Sequence, residues 1–359
     1  MIGIEDINLA LPCVASLFWT ESLLCSHVGS LFAGLGTMRS TVTWIVTAWF
    51  LLADGGEAFS FSFRYTAPLQ LGRSPPSSFS SSSSLASSFV DGVNLQTIQV
   101  PRDSPDGTEK YYRLAYRYVG RHTRKPPVVV LHGGPSLPGS YLYNLADLGF
   151  RSMLFYDQLG CGSSDEPVEP YNYSMRLAAQ DLDLLIETVL GPGTPYHLYG
   201  HSYGGALAYH FLRTPSTTTG ENCRSVTLSS APTSIPQVRS DYERLVEQLG
   251  PTRFAKEHVC RLQPIPSVLS AAYQYPGRAW TGLAALQDYV APPVTGSLLR
   301  TPCLVLRGEH DFVAHASEWK QYFSNCQVYT LPGCSHHGLY ENPSLYAETL
   351  RDFWTLNDY

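Results

Sequence analysis

The sequence predicts an α/β fold, a mostly parallel central sheet flanked by helices on both faces. Three observations predict it. From about residue 93 onward, short β-branched apolar runs alternate with segments of helical period, the pattern of strands joined by crossover helices. The chain of 359 residues is 44% hydrophobic and 15% charged, enough to bury a sizeable core. One turn, Gly200-His201-Ser202-Tyr203-Gly204, stands between a strand-like and a helix-like segment and reads as a strand-to-helix elbow.

Each element follows from its pattern. Residues 94–100 and 111–120 alternate apolar and polar side chains, as half-buried strands do. Residues 126–132 and 152–157 are continuous apolar runs and predict strands buried on both faces. Residues 175–190 carry apolar side chains at helical spacing, 196–200 form a strand and 205–213 a helix. Residues 225–230, 302–308 and 326–331 read as further buried strands, and 344–354 as a closing helix. There is no internal repeat.

The first 90 residues differ in kind and form an N-terminal extension to the domain at 91–359. Residues 9–24 are apolar but interrupted by Glu21. Residues 41–53 follow Met38-Arg39 and precede small residues, which is the order of a secretory signal. The apolar stretch is shorter than the roughly 20 residues of a membrane span. It reads as a signal, as a membrane-proximal anchor giving weak membrane association, or as an upstream extension of a cytoplasmic chain. Secretion is slightly favoured, and the sequon Asn172-Tyr173-Ser174 adds weakly to it. Residues 74–88, rich in Ser, read as a linker. A net charge of −6 argues against nucleic acid as a partner. The eight cysteines show no C-x-x-C pair, so neither a zinc site nor a disulfide framework is expected. No metal or other cofactor is expected.

The elbow answers a chemical need. Its tight turn would lift the Ser202 hydroxyl above the sheet edge, and flanking side chains would collide, hence Gly200 and Gly204. Tyr203 N–H then opens the following helix, where positive partial charge gathers. Serine is a poor nucleophile without a base, and the base needs an orienting acid. Asp311 follows the strand at 302–308, and His336 follows the strand at 326–331. Their separation of 25 residues accommodates one helix and one strand. His337 is an alternative base and Glu309 an alternative acid, whereas His201 and His310 read as structural. The turn at 131–136, Leu-His-Gly-Gly-Pro-Ser, supplies Gly134 N–H as the second oxyanion donor beside Tyr203 N–H.

Five segments carry a resemblance to a known family: Leu-His-Gly-Gly-Pro at 131–135, residues 155–165 with Asp157-Gln158, the elbow, residues 306–311, and residues 331–343. Over about 93–359 the chain resembles the prolyl iminopeptidase (proline iminopeptidase) branch of the α/β-hydrolases. The resemblance implies an α/β-hydrolase fold with a short helical cap insertion at about 233–298. It implies Ser202 as nucleophile, Asp311 as acid, His336 as base, and Gly134 and Tyr203 as oxyanion donors. The implied activity is that of a serine hydrolase cleaving an amide through an acyl-enzyme, an aminopeptidase releasing an N-terminal residue without a cofactor. Ser136 stands where the family carries glycine, and Phe312 where many relatives carry an acid that holds the substrate's ammonium group. Glu243, Glu247, Glu257 and Asp288 are the remaining candidates for that role. The substrate is expected to be a small peptide, amide or ester. A small-molecule amidase or esterase is the alternative, and a non-catalytic binding protein the third reading.

Overall fold

A computed structural model of the chain describes residues 42–49, 60–67, 90, 92–120, 124–148, 151–214, 218–314 and 318–359. The apolar stretch 9–24 and the Ser-rich stretch 74–88 lie outside the described residues. The described residues fall in two units. In the smaller, β1 (Val42–Trp49) pairs antiparallel with β2 (Ser60–Ala67). Most of the signal-like segment 41–53 is thus a strand with a partner. Among the described residues, no helix is long and apolar enough to cross a membrane.

The larger unit is built on an eight-stranded sheet. In chain order its strands are β3 (Gln96–Asp103), β4 (Glu109–Val119), β5 (Val128–Leu131), β6 (Met153–Tyr156), β7 (Tyr196–His201), β8 (Cys223–Ser229), β9 (Cys303–Gly308) and β10 (Cys326–Leu331). Their order across the sheet is β10-β9-β8-β7-β5-β6-β4-β3. The β3–β4 and β4–β6 pairings are antiparallel and the others parallel. Strands β5 and β6 are buried at every residue, as continuous apolar runs in a parallel sheet must be.

Three of the helices begin where a side chain satisfies a free N–H group. Ser174 Oγ accepts from Leu177 N at 3.1 Å to open α1 (Met175–Leu190). Ser202 opens α2 (Tyr203–Arg213) without a side-chain cap. Ser234 Oγ accepts from Gln237 N at 3.3 Å to open α3 (Ile235–Leu249). Short α4 (Pro251–Phe254) runs into a π-helical turn, Ala255–Val259, and α5 (Ser267–Gln274) follows. After β10 come α6 (Gly338–Glu341) and α7 (Pro343–Leu356), the latter capped by Asn342 Oδ1 on Leu345 N at 3.2 Å. Helix α7 buries Tyr346, Ala347, Leu350, Phe353 and Trp354, the single stripe of an amphipathic helix. Each large side chain on it contributes about 1.5–3 kcal/mol by leaving water. Tyr346 OH meets Tyr199 OH at 2.6 Å and Trp354 Nε1 donates to Thr227 Oγ1 at 3.2 Å, so the buried polar atoms of that face are paired.

Three expectations are corrected. Strand β10 is exposed at three of its six residues, because it is the sheet's edge and has one neighbour. Between Asp311 and β10 the described residues form a 3₁₀ turn, Glu318–Gln321, in place of a full helix. Asn172 of the sequon is fully buried and its Nδ2 donates to Glu169 O at 3.0 Å, so the folded chain does not present it for glycosylation.

The parallel register brings the strand ends to one edge. Leu131 lies opposite Gly200, Ser229 opposite His201, Leu306 opposite Ser229, and Leu331 opposite Gly308. The loops that follow β5, β7, β9 and β10 therefore emerge side by side at the carboxyl edge, where such sheets build their sites.

Candidate active site

Ser202 sits at φ 54° and ψ −123° between β7 and α2, a conformation that costs a non-glycine residue free energy and persists only where neighbours enforce it. The enforcement is visible. A Cβ on Gly200 would lie 2.3 Å from Gly204 O, and one on Gly204 would lie 2.3 Å from Leu131 O. Glycine at both positions lets β7, α2 and β5 close on one another. Ser202 N donates to Ser229 O at 2.8 Å, fixing the turn to the next strand. The Tyr203 amide then stands in the first turn of α2, aligned with its positive end.

Asp311 and His336 meet on adjacent loops. His336 Nδ1 lies 3.0 Å from Asp311 Oδ1, and the same oxygen accepts from Val313 N at 2.9 Å. Burial alone would raise the Asp311 carboxyl, but the His336 charge, its hydrogen bond and the Val313 amide outweigh it and hold the group below its usual range. Asp311 therefore stays ionised and orients the ring. His336 is tied by its backbone as well: its amide donates to His258 O at 3.2 Å, and its carbonyl accepts from Ser230 Oγ at 3.1 Å.

The neighbouring candidates fall elsewhere. His337 is buried, and its Nε2 lies 2.8 Å from Tyr273 OH. Burial, then the charges of His201 and His336, push it well below the ordinary imidazole value. Glu309 is exposed and accepts from Gly333 N at 2.8 Å; its carboxylate approaches His310, 3.9 Å away. The carboxylate beside His336 is thus Asp311.

His201 is part of a hydrogen-bonded chain. Its Nε2 lies 3.1 Å from His336 O and its Nδ1 lies 2.9 Å from Tyr141 OH, which in turn accepts from Gly133 N at 2.8 Å. Burial, then the His336 charge, lower His201 to about 3, so the ring is neutral at pH 7. A neutral ring has one donor and one acceptor. Nε2–H donates to the carbonyl, and Nδ1 accepts from the Tyr141 hydroxyl. The loop after β5 is thereby joined to the loop bearing His336. Nothing in the sequence periodicity marks Tyr141, Ser230 or His258.

The Asp157-Gln158 element holds the same loop from the other side. Asp157 Oδ1 accepts from Gly139 N and Oδ2 from Ser163 N, both at 2.8 Å. Gln158 N donates to His132 Nε2 at 2.9 Å, and Gln158 Nε2 to His132 O at 3.0 Å. Gly134, at φ 124°, follows directly, and a Cβ there would fall 2.5 Å from Ser136 N.

Ser202, Tyr203, Gly134 and His336 line one small cavity of about 30 Å³. Phe312 lines it too, packed edge-to-face on Phe254 at 4.9 Å and 6.0 Å from the His336 ring. The expected amine-binding acids are not among its lining residues. Glu243, Glu247 and Asp288 are exposed, and Glu257 Oε1 accepts from Arg253 Nε at 2.6 Å. The reason is the phase of α3, whose buried residues are Ile235 and Val238, while Glu243 and Glu247 fall on the solvent side.

Comparison with known proteins agrees with this architecture. A profile of the alpha/beta hydrolase family matches residues 128–349. A proline iminopeptidase of Saccharolobus solfataricus is 27% identical over 288 residues, covering 69% of this chain and 89% of that protein. A proline iminopeptidase of Lactobacillus helveticus is 34% identical over 142 residues, 38% of this chain and 47% of that protein. The crystal structure of a proline iminopeptidase of Mycobacterium smegmatis superposes with a TM-score of 0.56 at 22% identity, covering 73% of this chain and 99% of the other.

Proposed function

The chain belongs to the alpha/beta hydrolase family, and from that premise we propose that it is a serine hydrolase that cleaves an amide bond through an acyl-enzyme on Ser202. The observation that carries the reading is the 3.0 Å contact between His336 Nδ1 and Asp311 Oδ1, with His336 and Ser202 lining one cavity. Ser202 Oγ attacks the carbonyl carbon while His336 takes its proton, and Asp311 holds the imidazole tautomer. The amides of Tyr203 and Gly134 donate to the oxygen as it becomes negative. The C–N bond then breaks, His336 returns the proton to the leaving nitrogen, and water releases the acyl group by the same steps in reverse order of attack.

The relatives named proline iminopeptidase favour release of an N-terminal residue, an aminopeptidase activity. The apolar cavity wall favours a second reading, an amidase or esterase using the same machinery. The test is hydrolysis of a panel of p-nitroanilides and p-nitrophenyl esters by purified variants. Ser202→Ala and His336→Ala should remove turnover, and Asp311→Asn should lower kcat by roughly 10⁴-fold. Undiminished turnover in Ser202→Ala would contradict the reading, and a well-folded wild type without any turnover would favour a binding protein.

A further inference from the structure

The cavity beside Ser202 is lined by Ser202, His336, Gly134, Tyr203 and Tyr273. Most of its remaining wall is apolar: Ile235, Val238, Val259, Leu286, Phe312 and Val313. We propose that the acyl half of the substrate is apolar and uncharged, so that its α position carries an acylated nitrogen or a carbon in place of a free ammonium group. The proposal rests on the serine-hydrolase reading and takes its amidase or esterase form in place of the aminopeptidase form.

The wall is a built feature of the fold. Ile235 and Val238 are the buried residues of α3, so the helix turns its one apolar face to the cavity. Phe312 is held in place by Phe254, which packs edge-to-face on Tyr242 at 5.1 Å. An ammonium group entering this space would give up its hydration, and burying a charge is costly unless a partner charge receives it. Among the described residues, no carboxylate lines the cavity. Asp311 Oδ1 accepts from Val313 N and faces His336 Nδ1. Glu166 accepts from the amides of Arg278 and Ala279, and Glu257 from Arg253. Neither glutamate lines the cavity. An alkyl, aryl or N-acyl group meets the same wall with apolar surface and gains by displacing water.

Boronic acids that bond to an activated serine test this without requiring turnover. Pyrrolidine-2-boronic acid, with its free amine, is compared with its N-acetyl form by inhibition of fluorophosphonate labelling at pH 7. The N-acetyl form should bind at least tenfold more tightly. Equal or tighter binding of the free amine overturns the proposal and leaves the serine-hydrolase reading standing. If neither form nor the fluorophosphonate engages wild type in a manner lost in Ser202→Ala, the reading itself fails and the proposal with it. Val238→Glu, which adds a carboxylate to the wall, should shift the preference at least tenfold toward the free amine. Ile235→Asp provides the second position should the first variant not fold. An unchanged ratio in a folded variant also overturns the proposal.

Discussion

The Tyr141 hydroxyl accepts from Gly133 N and donates to His201 Nδ1. Removing it orphans one buried donor and one buried acceptor, each worth about 1–3 kcal/mol. Tyr141→Phe is therefore expected to lower unfolding free energy by about 2–4 kcal/mol in urea titration, and to lower kcat more than it raises KM, because the loop bearing Gly134 loosens. A fully active, fully stable variant would contradict the positioning role. Gly204→Ala is a harsher change, since its methyl group would lie 2.3 Å from Leu131 O. The backbone cannot retreat without opening the contact between β5 and α2, and a loss of about 4 kcal/mol or more is expected, read as aggregation or a collapsed melting transition. At this scale the sequence was informative for the elbow, because two glycines around a serine have a steric cause. It left His336 and His337 open, because adjacent residues on a loop point to different sides and only the backbone path decides which one meets Asp311.

At the scale of elements, the carboxyl ends of the parallel strands carry the site while the opposite edge carries an anchor. Asp358, just after α7, accepts from Arg151 Nη1 at 2.9 Å and lies 3.1 Å from His197 Nε2. The Arg151 side chain is fully buried. Removing the partner of a buried charge costs about 3 kcal/mol or more, so Asp358→Asn is expected to destabilise by about 3 kcal/mol in guanidinium titration, with KM unchanged. A loss under about 1 kcal/mol would contradict the anchor. The strands β5 and β6 and the helix α1 were legible because burial on both faces, or on one stripe, leaves a period in the residues. The edge strand β10 reads as buried from sequence because its apolar residues Val328 and Leu331 are mixed with exposed Gln327, Tyr329 and Thr330, which a short window does not resolve. Sequence alone leaves Glu243 and Glu247 open as candidates for the cavity, because helix phase depends on where Ser234 caps α3, and that point is set by tertiary structure.

For the whole molecule, buried neutral histidines set the response to acid. Burial, then the Arg151 charge, lower His197 to about 4, burial and His336 lower His201 to about 3, and His337 lies well below its usual value. In the unfolded chain each takes a proton near pH 6.5, and in the folded chain it does not until the pH is far lower. The unfolded state then binds more protons, so stability is complete above about pH 6.5 and falls as pH drops toward about 4, by about 1.4 kcal/mol per pH unit for each group. Melting temperature measured from pH 8 to pH 4 should be flat and then decline, and a flat profile throughout would contradict these burials. The N-terminal segment shows the limit of composition: residues 41–53 are apolar enough to read as a signal, yet 42–49 pair as a strand with 60–67, a partner that no local pattern names. The proposed reaction turns on the Ser202 hydroxyl at the elbow, and its most direct measurement is the site of covalent attachment. Full-length protein treated with a fluorophosphonate, digested and sequenced by mass spectrometry should carry the phosphonate on Ser202, with Asp311→Asn slowing its appearance. Attachment at Ser335 or any other serine, or equal labelling of Ser202→Ala, would contradict the account.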